Sequence, residues 1–260
     1  MTPEHIEQLR KAKQLLENPG LTAKITAVIG RPIERGIDLL PAKWSEVVNK
    51  ATRTALEKAF NAALRTLGKN NQSASSDIWH KIAATASGAG GGAFGLPALF
   101  IELPVSTTIM LRSIIDIARS EGEDIRLAES KLACLEVFAL GGRNSKDDAA
   151  ESGYFAVRAV LAKAVSEAAE FIAERGLAKE GAPVIVRLIS MIATRFGVKV
   201  SEKAAVQAIP AVGAVGGALV NLAFMDHYQD MARGHFTVRR LERVYGTEVV
   251  QSEYRKLTTQ

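Results

Sequence analysis

The apolar residues of this chain recur every three or four positions over most of its length, which is the spacing of amphipathic helices. The clearest example begins after Pro41 and runs from Trp44 to Leu67, where Gly68 ends it. The same spacing predicts further helices over residues 2–18, 105–120, 124–141, 147–175, 183–196 and 226–245. No segment shows the strict alternation of a half-buried strand. We therefore predict an all-α protein, built as a multi-helix globular bundle.

Two runs without any charged residue interrupt this pattern, Ile82–Ile101 and Ala204–Met225. Each is close to the roughly 20 residues that a membrane-spanning helix needs. Both are rich in Gly, Ala and Pro instead of Leu and Phe, and Pro97, Pro104 and Pro210 break them into shorter pieces. We therefore expect two Gly/Pro-rich apolar helical hairpins in the core of the bundle, which also contact lipid, and not stable spanning helices.

Glycines four residues apart mark both runs and would let another helix backbone approach closely. Glycine in a water-exposed helix costs about 1 kcal/mol relative to alanine, so these residues should pack against a neighbour or against lipid. The candidate membrane contacts in the two runs are Gly88, Gly92, Phe94, Leu96, Phe100, Gly213 and Gly217.

Basic residues exceed acidic ones by five over the 260 residues, and the excess lies in residues 1–80 and 181–260. Such ends suit anionic lipid headgroups. Arg239, Arg240 and Arg243 on the last long helix are the candidate headgroup contacts, although a solvated helix face has the same pattern. Nucleic acid would also fit the charge, but no helix-turn-helix or RRM signature is present, so we expect no nucleic-acid partner.

The polar stretch 69–76 is the best candidate boundary in the chain. It separates an N-terminal helical segment, residues 1–70, from a helical domain, residues 71–260, and the two are expected to form one continuous domain. The single cysteine, Cys134, sits in an apolar stretch, and no signal peptide is visible. We expect a cytoplasmic protein that lies peripherally at the inner face of the membrane.

Two polar residues, Glu102 and Asn221, stand out in or beside the uncharged runs. A buried carboxylate must be paired or protonated, and the candidate partners are Arg112, Arg158 and Arg187. Glu102, Arg158 and Asn221 are therefore the candidate buried polar residues. They could grip a lipid headgroup or an ion, or they could be a structural bridge that keeps helices in register.

A small group of potential metal ligands follows the second run: Asp226, His227, Asp230 and His235. Imidazole with carboxylate suits Zn, Mn or Fe, but the spacing is not that of HExxH, and a polar helix face has the same composition. The glycines of Gly90–Gly95 form GxGxxG without a preceding strand. We therefore expect no cofactor.

Three motifs, taken in order, resemble the EcsC family over about residues 40–250. They are Gly88–Pro97 followed by Glu102–Pro104; Phe138–Gly142, Asp148, Gly153–Phe155 and Arg158; and Ile209–Ala218 through Asn221. The resemblance implies a helical protein that is cytosolic or membrane-associated, and a link to membrane transport, since the family is named for a protein encoded beside an ABC-transporter pair. It carries over no agreed catalytic residues.

These observations favour a non-catalytic, membrane-associated helical protein that binds anionic lipid, either alone or as an accessory to a membrane transport system with a membrane-protein partner. Two alternatives remain open. One is a metal-dependent hydrolase that uses the Asp226, His227, Asp230 and His235 group, and the other is a soluble protein-interaction adaptor. The oligomeric state is left open by the sequence.

Overall fold

The computed structural model describes residues 1–17, 44–66, 99–141, 153–175, 182–207 and 213–257. Within these ranges every regular element is helical, which confirms the all-α prediction. The helices are α1 (Pro3–Glu17), α2 (Trp44–Thr66), α3 (Leu99–Ser120), α4 (Ala128–Glu136), α5 (Gly153–Arg175), α6 (Pro183–Gln207), α7 (Gly213–Tyr245) and α8 (Thr247–Lys256). A 3₁₀ turn, Val137–Ala139, continues α4.

Helices α3 and α7 lie side by side and run parallel at the centre of the fold. Three hydrogen bonds join α7 to α3 and to the turn that follows α3, and the residue numbers rise together on both sides: Asn221 to Glu102, Gln229 to Ser113, and Thr237 to Glu121. Around this pair, α2 packs on α3 and α6, α5 packs on α4 and α6, and α1 packs on α7. Because both central helices are covered on several sides, most of their described residues are buried or half-buried.

One hydrophobic core runs through the described helices. It includes Leu9 of α1 and Leu56 of α2, from the N-terminal segment expected from the sequence, together with Phe138, Phe196 and Tyr228. The three rings meet at centroid distances of 5.0–5.5 Å, in tilted and edge-on arrangements that aromatic pairs prefer. The boundary expected at residues 70 and 71 lies outside the described ranges, but helices on both sides of it share this core.

Several helix boundaries differ from the sequence prediction. Helix α3 begins at Leu99 and contains Pro104, which was expected to break it. The proline sits near the start of the helix and lacks only the N–H that would bond to residue 100, so the loss stays within the first turns. Helices α6 and α7 are also longer than predicted: α6 continues to Gln207, and α7 includes the second half of the uncharged run from Gly213.

Helix α1 packs closely against α7 at Gly234, where no side chain separates the two helices. A Cβ at this position would lie 2.7 Å from Leu16 Cγ and 3.0 Å from the backbone oxygen of Ala12. The buried Lys13 ammonium then ties α1 to the end of α8, since its Nζ donates to the carbonyl oxygens of Tyr254 at 3.0 Å and Leu257 at 2.7 Å. These carbonyls end a helix and would otherwise lack intrahelical partners.

Candidate functional site

Three buried polar side chains meet between α3, α6 and α7. The Glu102 carboxylate accepts hydrogen bonds at Oε1 from Lys203 Nζ at 2.7 Å and from Asn221 Nδ2 at 2.8 Å. Lys203 is 1% exposed, Asn221 2% and Glu102 5%. Lys203 also lies over the Phe224 ring, 5.4 Å from its centroid. We call Glu102, Lys203 and Asn221 the core triad.

The core triad holds Glu102 in its ionised form. Burial alone would raise the pKa of this carboxyl, but the Lys203 ammonium and the hydrogen bonds from Lys203 and Asn221 outweigh burial and bring the pKa below its usual value. An ion pair this deep is costly to desolvate, and removal of one partner leaves an uncompensated charge. The arrangement therefore fixes the register of three helices and has the geometry of a structural bridge.

The expected cation partners of Glu102 were wrong. Arg158 instead forms a bidentate pair with Glu242, at 2.8 Å and 3.0 Å. Arg187 lies 3.6 Å from Glu167 near the surface, and Arg112 is exposed. The sequence did carry a signal for Lys203: on a helix that starts at Pro183 it falls on the same face as the core residues Phe196 and Val200. That signal was missed because α6 was expected to end at residue 196.

Internal carboxylates engage the three arginines that were predicted to bind lipid headgroups. Arg239 pairs with Glu123 at 2.9 Å, and Arg240 with Glu121 at 2.7 Å. Arg243 also pairs with Glu123, and it donates to the Glu121 carbonyl at 2.7 Å. These contacts fix the turn between α3 and α4 against α7. With Glu129, which lies 3.3 Å from Arg239, three carboxylates balance the charge of the three arginines within the fold.

A second buried polar group lies between α4, α5 and α7. The Tyr154 hydroxyl lies 3.0 Å from His235 Nδ1, and Arg158 donates to the same hydroxyl at 3.3 Å. Burial, with help from the Arg158 and Arg239 charges, holds the pKa of His235 well below its usual value, so this imidazole is neutral. Glu136, which the sequence analysis did not single out, is 6% exposed at the end of α4. Burial raises its pKa to about 7 against the lowering effect of Arg158 and Arg239.

The four potential metal ligands Asp226, His227, Asp230 and His235 do not come together as one cluster. Among the described residues, no group of three or more His, Cys, Asp or Glu side chains could hold a metal ion. His227 packs on Gly141, where an added Cβ would lie 2.6 Å from its ring. His235 lies two helical turns further along α7, against Tyr154. Asp226 and Asp230 are half-buried on the outer side of α7.

The remaining predicted lipid contacts are only partly described. Gly88, Gly92, Phe94 and Leu96 lie outside the described residues, as does the side chain of Phe100. Gly213 is the first residue of α7, and Gly217 is buried within it. Among the described helices, none combines the length and the apolar character that a membrane crossing requires.

Comparison with known proteins gives one match. The model of the EcsC protein family matches residues 3–241, which is nearly the whole chain. No curated protein and no solved structure matches it.

Proposed function

The chain belongs to the EcsC protein family, and we propose that it is a non-catalytic peripheral membrane protein whose uncharged runs contact lipid at an anionic bilayer surface. The core triad is the observation that carries this proposal. Glu102 directly follows the first run, Lys203 directly precedes the second, and Asn221 belongs to the second. One buried carboxylate therefore joins the residue that follows the first run to the residue that precedes the second run and to a residue within it.

The rise per residue of an α-helix gives the distance from the core triad to the nearest ends of the described ranges that contain the two runs. Along a helix, Glu102 is about 4.5 Å from Leu99, and Lys203 is about 6 Å from Gln207. One described range begins at Leu99, after Pro97 of the first run, and another stops at Gln207, before Pro210 of the second run. The uncharged residues 99–101 and 204–207 therefore lie on helices that the Lys203–Glu102 pair joins, which supports a shared apolar contact of the two runs with lipid.

The distribution of charge supports headgroup contact near the first run. Because Arg239, Arg240 and Arg243 have internal carboxylate partners, they contribute little to a surface field. Residues 43–81 carry seven Lys and Arg against three acidic residues, so the basic excess precedes the first run directly. Trp79 and Lys81 are of the types enriched at membrane interfaces. The proposal places the protein at the cytoplasmic face, where anionic lipid provides a negative surface potential.

Vesicle flotation tests the proposal. We expect the protein to float with vesicles that contain phosphatidylglycerol and to stay at the bottom with phosphatidylcholine alone. High salt should weaken the anionic preference by screening. No flotation with either vesicle at low salt would contradict the proposal.

Two variants separate the apolar and the basic contribution. Phe94→Ser with Leu96→Ser should reduce flotation with anionic vesicles severalfold, whereas Lys69→Gln with Lys81→Gln should reduce the preference for anionic over neutral lipid. Lys163→Gln with Lys256→Gln is the matched control for the loss of two positive charges, since these side chains are 81% and 66% exposed. Equal flotation of the wild type and both double variants would overturn the assignment to the first run.

A further inference from the structure

A single glycine separates the helices α7 and α8. Gly246 has φ +85° and ψ 148°, a backbone conformation that residues with a side chain rarely adopt. Its backbone groups nevertheless make the hydrogen bonds of a helix: the N–H donates to the Glu242 carbonyl at 2.9 Å, and the carbonyl accepts from the Val250 N–H at 3.2 Å. A change of φ and ψ at Gly246 alone would therefore join α7 and α8 into one continuous helix.

The continuous helix would also satisfy backbone groups at the start of α8. Among the described residues, no side chain caps the N-terminus of α8, and the N–H groups of residues 247–249 have no acceptor within that helix. In a continuous helix they would donate to the carbonyls of residues 243–245. A Cβ at Gly246 would meet no atom within 4 Å, so the space around this residue is open.

Helix α8 lies against α1, α5 and α7, and its buried side chains are Val250 and Tyr254. The Tyr254 ring lies against the rings of Tyr154 and Phe155, with centroid distances of 5.9 Å and 5.0 Å. Lys13 Nζ lies 5.0 Å from the centroid of the Tyr254 ring and donates to the carbonyls of the last turn. We call Lys13, Tyr154 and Phe155 the α8 groove. A second copy of the chain carries the same α8, which fits the same groove.

We propose that Gly246 is a hinge at which α8 exchanges between two copies of the chain, so that the partner of the α8 groove is a second copy. With the hinge open, Tyr254 lies about 14 Å beyond the last residue of α7 along the helix axis, away from the groove of its own copy. Each α8 then docks in the groove of the other copy, which gives a closed, symmetric dimer. The docked helices make the same contacts as in the monomer, so the exchange requires no new recognition chemistry.

Two exposed apolar side chains on either side of the hinge support a second copy as the partner. Val244 is 59% exposed at the end of α7, and Val249 is 46% exposed in the first turn of α8. In an exchanged dimer each helix crosses from one copy to the other, so the two hinge segments lie beside each other. Contact between them would remove apolar surface of these valines from water, which favours the dimer.

Gly246→Ala tests the hinge. The methyl group has room in the closed form, but alanine disfavours the φ and ψ of Gly246 by about tenfold relative to a helical conformation. Because a dimer contains two hinges, its association constant should rise about a hundredfold, as measured by sedimentation equilibrium on samples equilibrated at several concentrations. Gly153→Ala is the matched control, since a Cβ there also meets no atom within 4 Å and the residue already belongs to helix α5. It should leave the association constant unchanged.

A mixing experiment shows whether the dimer forms by exchange. In the Gly246→Ala background, Lys13→Met removes the ammonium from the α8 groove, and Tyr254→Ser removes the ring from α8. A dimer with one chain of each kind pairs one intact groove with one intact α8, so an equal mixture should contain more dimer than either variant alone. Where these variants fold poorly, hydrogen exchange of the Gly246→Ala dimer replaces the mixture, and its α8 amides should keep the protection that they have in the wild type.

Several results would overturn the proposal. One is a Gly246→Ala protein that stays monomeric at every concentration, whether or not its α8 amides remain protected. Others are an equal rise in dimer for Gly153→Ala, a mixture with no more dimer than its components, or a dimer whose α8 amides have lost their protection. None of these experiments contains lipid, so their outcome is separate from that of vesicle flotation.

Discussion

At the scale of single residues, the charge of Glu102 depends on Lys203. Replacement of Lys203 by Met keeps the length and apolar stem of the side chain but removes the ammonium that lies 2.7 Å from the carboxylate. An unpaired buried charge typically costs about 3–5 kcal/mol. We expect Lys203→Met to lower the free energy of unfolding at pH 7 by about this amount, measured by urea denaturation.

The pH dependence of this effect has a definite sign. In the wild type the pKa of Glu102 is lower in the folded state than in the unfolded state, so its contribution to stability is present above its ordinary pKa and is lost as the pH falls through the folded value. In Lys203→Met the carboxyl keeps its burial but loses its cation, so its folded pKa should rise and acid should stabilise the variant. The difference in the free energy of unfolding between the wild type and Lys203→Met should therefore become smaller as the pH falls.

The double variant Lys203→Met with Glu102→Gln provides the control. It removes both charges and keeps a group at position 102 that can accept the hydrogen bond from Asn221. It should recover most of the lost stability, as replaced buried pairs often do. A double variant as unstable as Lys203→Met at every pH would show that the unpaired charge is not the cause.

Sequence alone could identify Glu102 and Asn221 as buried polar residues because each lies in or beside a run without charges. It could not identify their partner, since choosing Lys203 over an arginine requires the helix packing of α6 against α3 and α7. Glu136 carries a similar signal: it is the lone charge in the apolar stretch 132–140. Its raised pKa depends on the positions of Arg158 and Arg239 in three dimensions and could not be derived from spacing.

At the scale of helices, the close packing of α1 on α7 depends on the absence of a side chain at Gly234. Alanine there would gain about 1 kcal/mol in helix propensity, but its Cβ would lie within 3.0 Å of the α1 backbone at Ala12. Overpacking of this kind typically costs about 1–3 kcal/mol. We expect Gly234→Ala to weaken the protection of α1 amides in hydrogen exchange more than that of α3 amides.

Gly153→Ala is the matched control for this prediction. Gly153 also lies in a helix, and a Cβ there would meet no atom within 4 Å. This variant should leave α1 protection unchanged and keep or slightly raise the stability. If Gly234→Ala behaved in the same way, the close contact between α1 and α7 would not limit the packing.

The helices themselves were partly predictable. The periodicity of the apolar residues predicted both ends of α2 to within one residue, because the apolar face of this helix is uninterrupted from Trp44 onward. The start of α3 was predicted at residue 105 instead of Leu99, because Pro104 was interpreted as a helix break. Pro104 lies near the beginning of the helix, where the missing N–H matters least. The predicted helix over residues 226–245 covers only the second part of α7, which begins at Gly213. Glycines lower the helix propensity of the first part, and burial against neighbouring helices, as at Gly217, offsets that cost.

At the scale of the whole molecule, the shared core predicts one cooperative unit. Leu9 and Leu56 lie fully buried in the same core as Phe196 and Tyr228, and the Lys13 ammonium joins the first described helix to the last. The described helices on either side of residue 70 therefore have no separate apolar interior to retain when the other side unfolds.

Tryptophan fluorescence offers a direct measurement of this cooperativity. The chain has two tryptophans, and Trp79→Phe leaves Trp44 as the single probe, buried at the start of α2. Urea unfolding followed by Trp44 emission should coincide with that followed by far-ultraviolet circular dichroism, which reports all the helices. A Trp44 transition at clearly lower urea would instead show that α2 separates from the bundle first. Coincidence would also mean that the core triad, packed between α3, α6 and α7 next to α2, is lost only when the whole fold is lost.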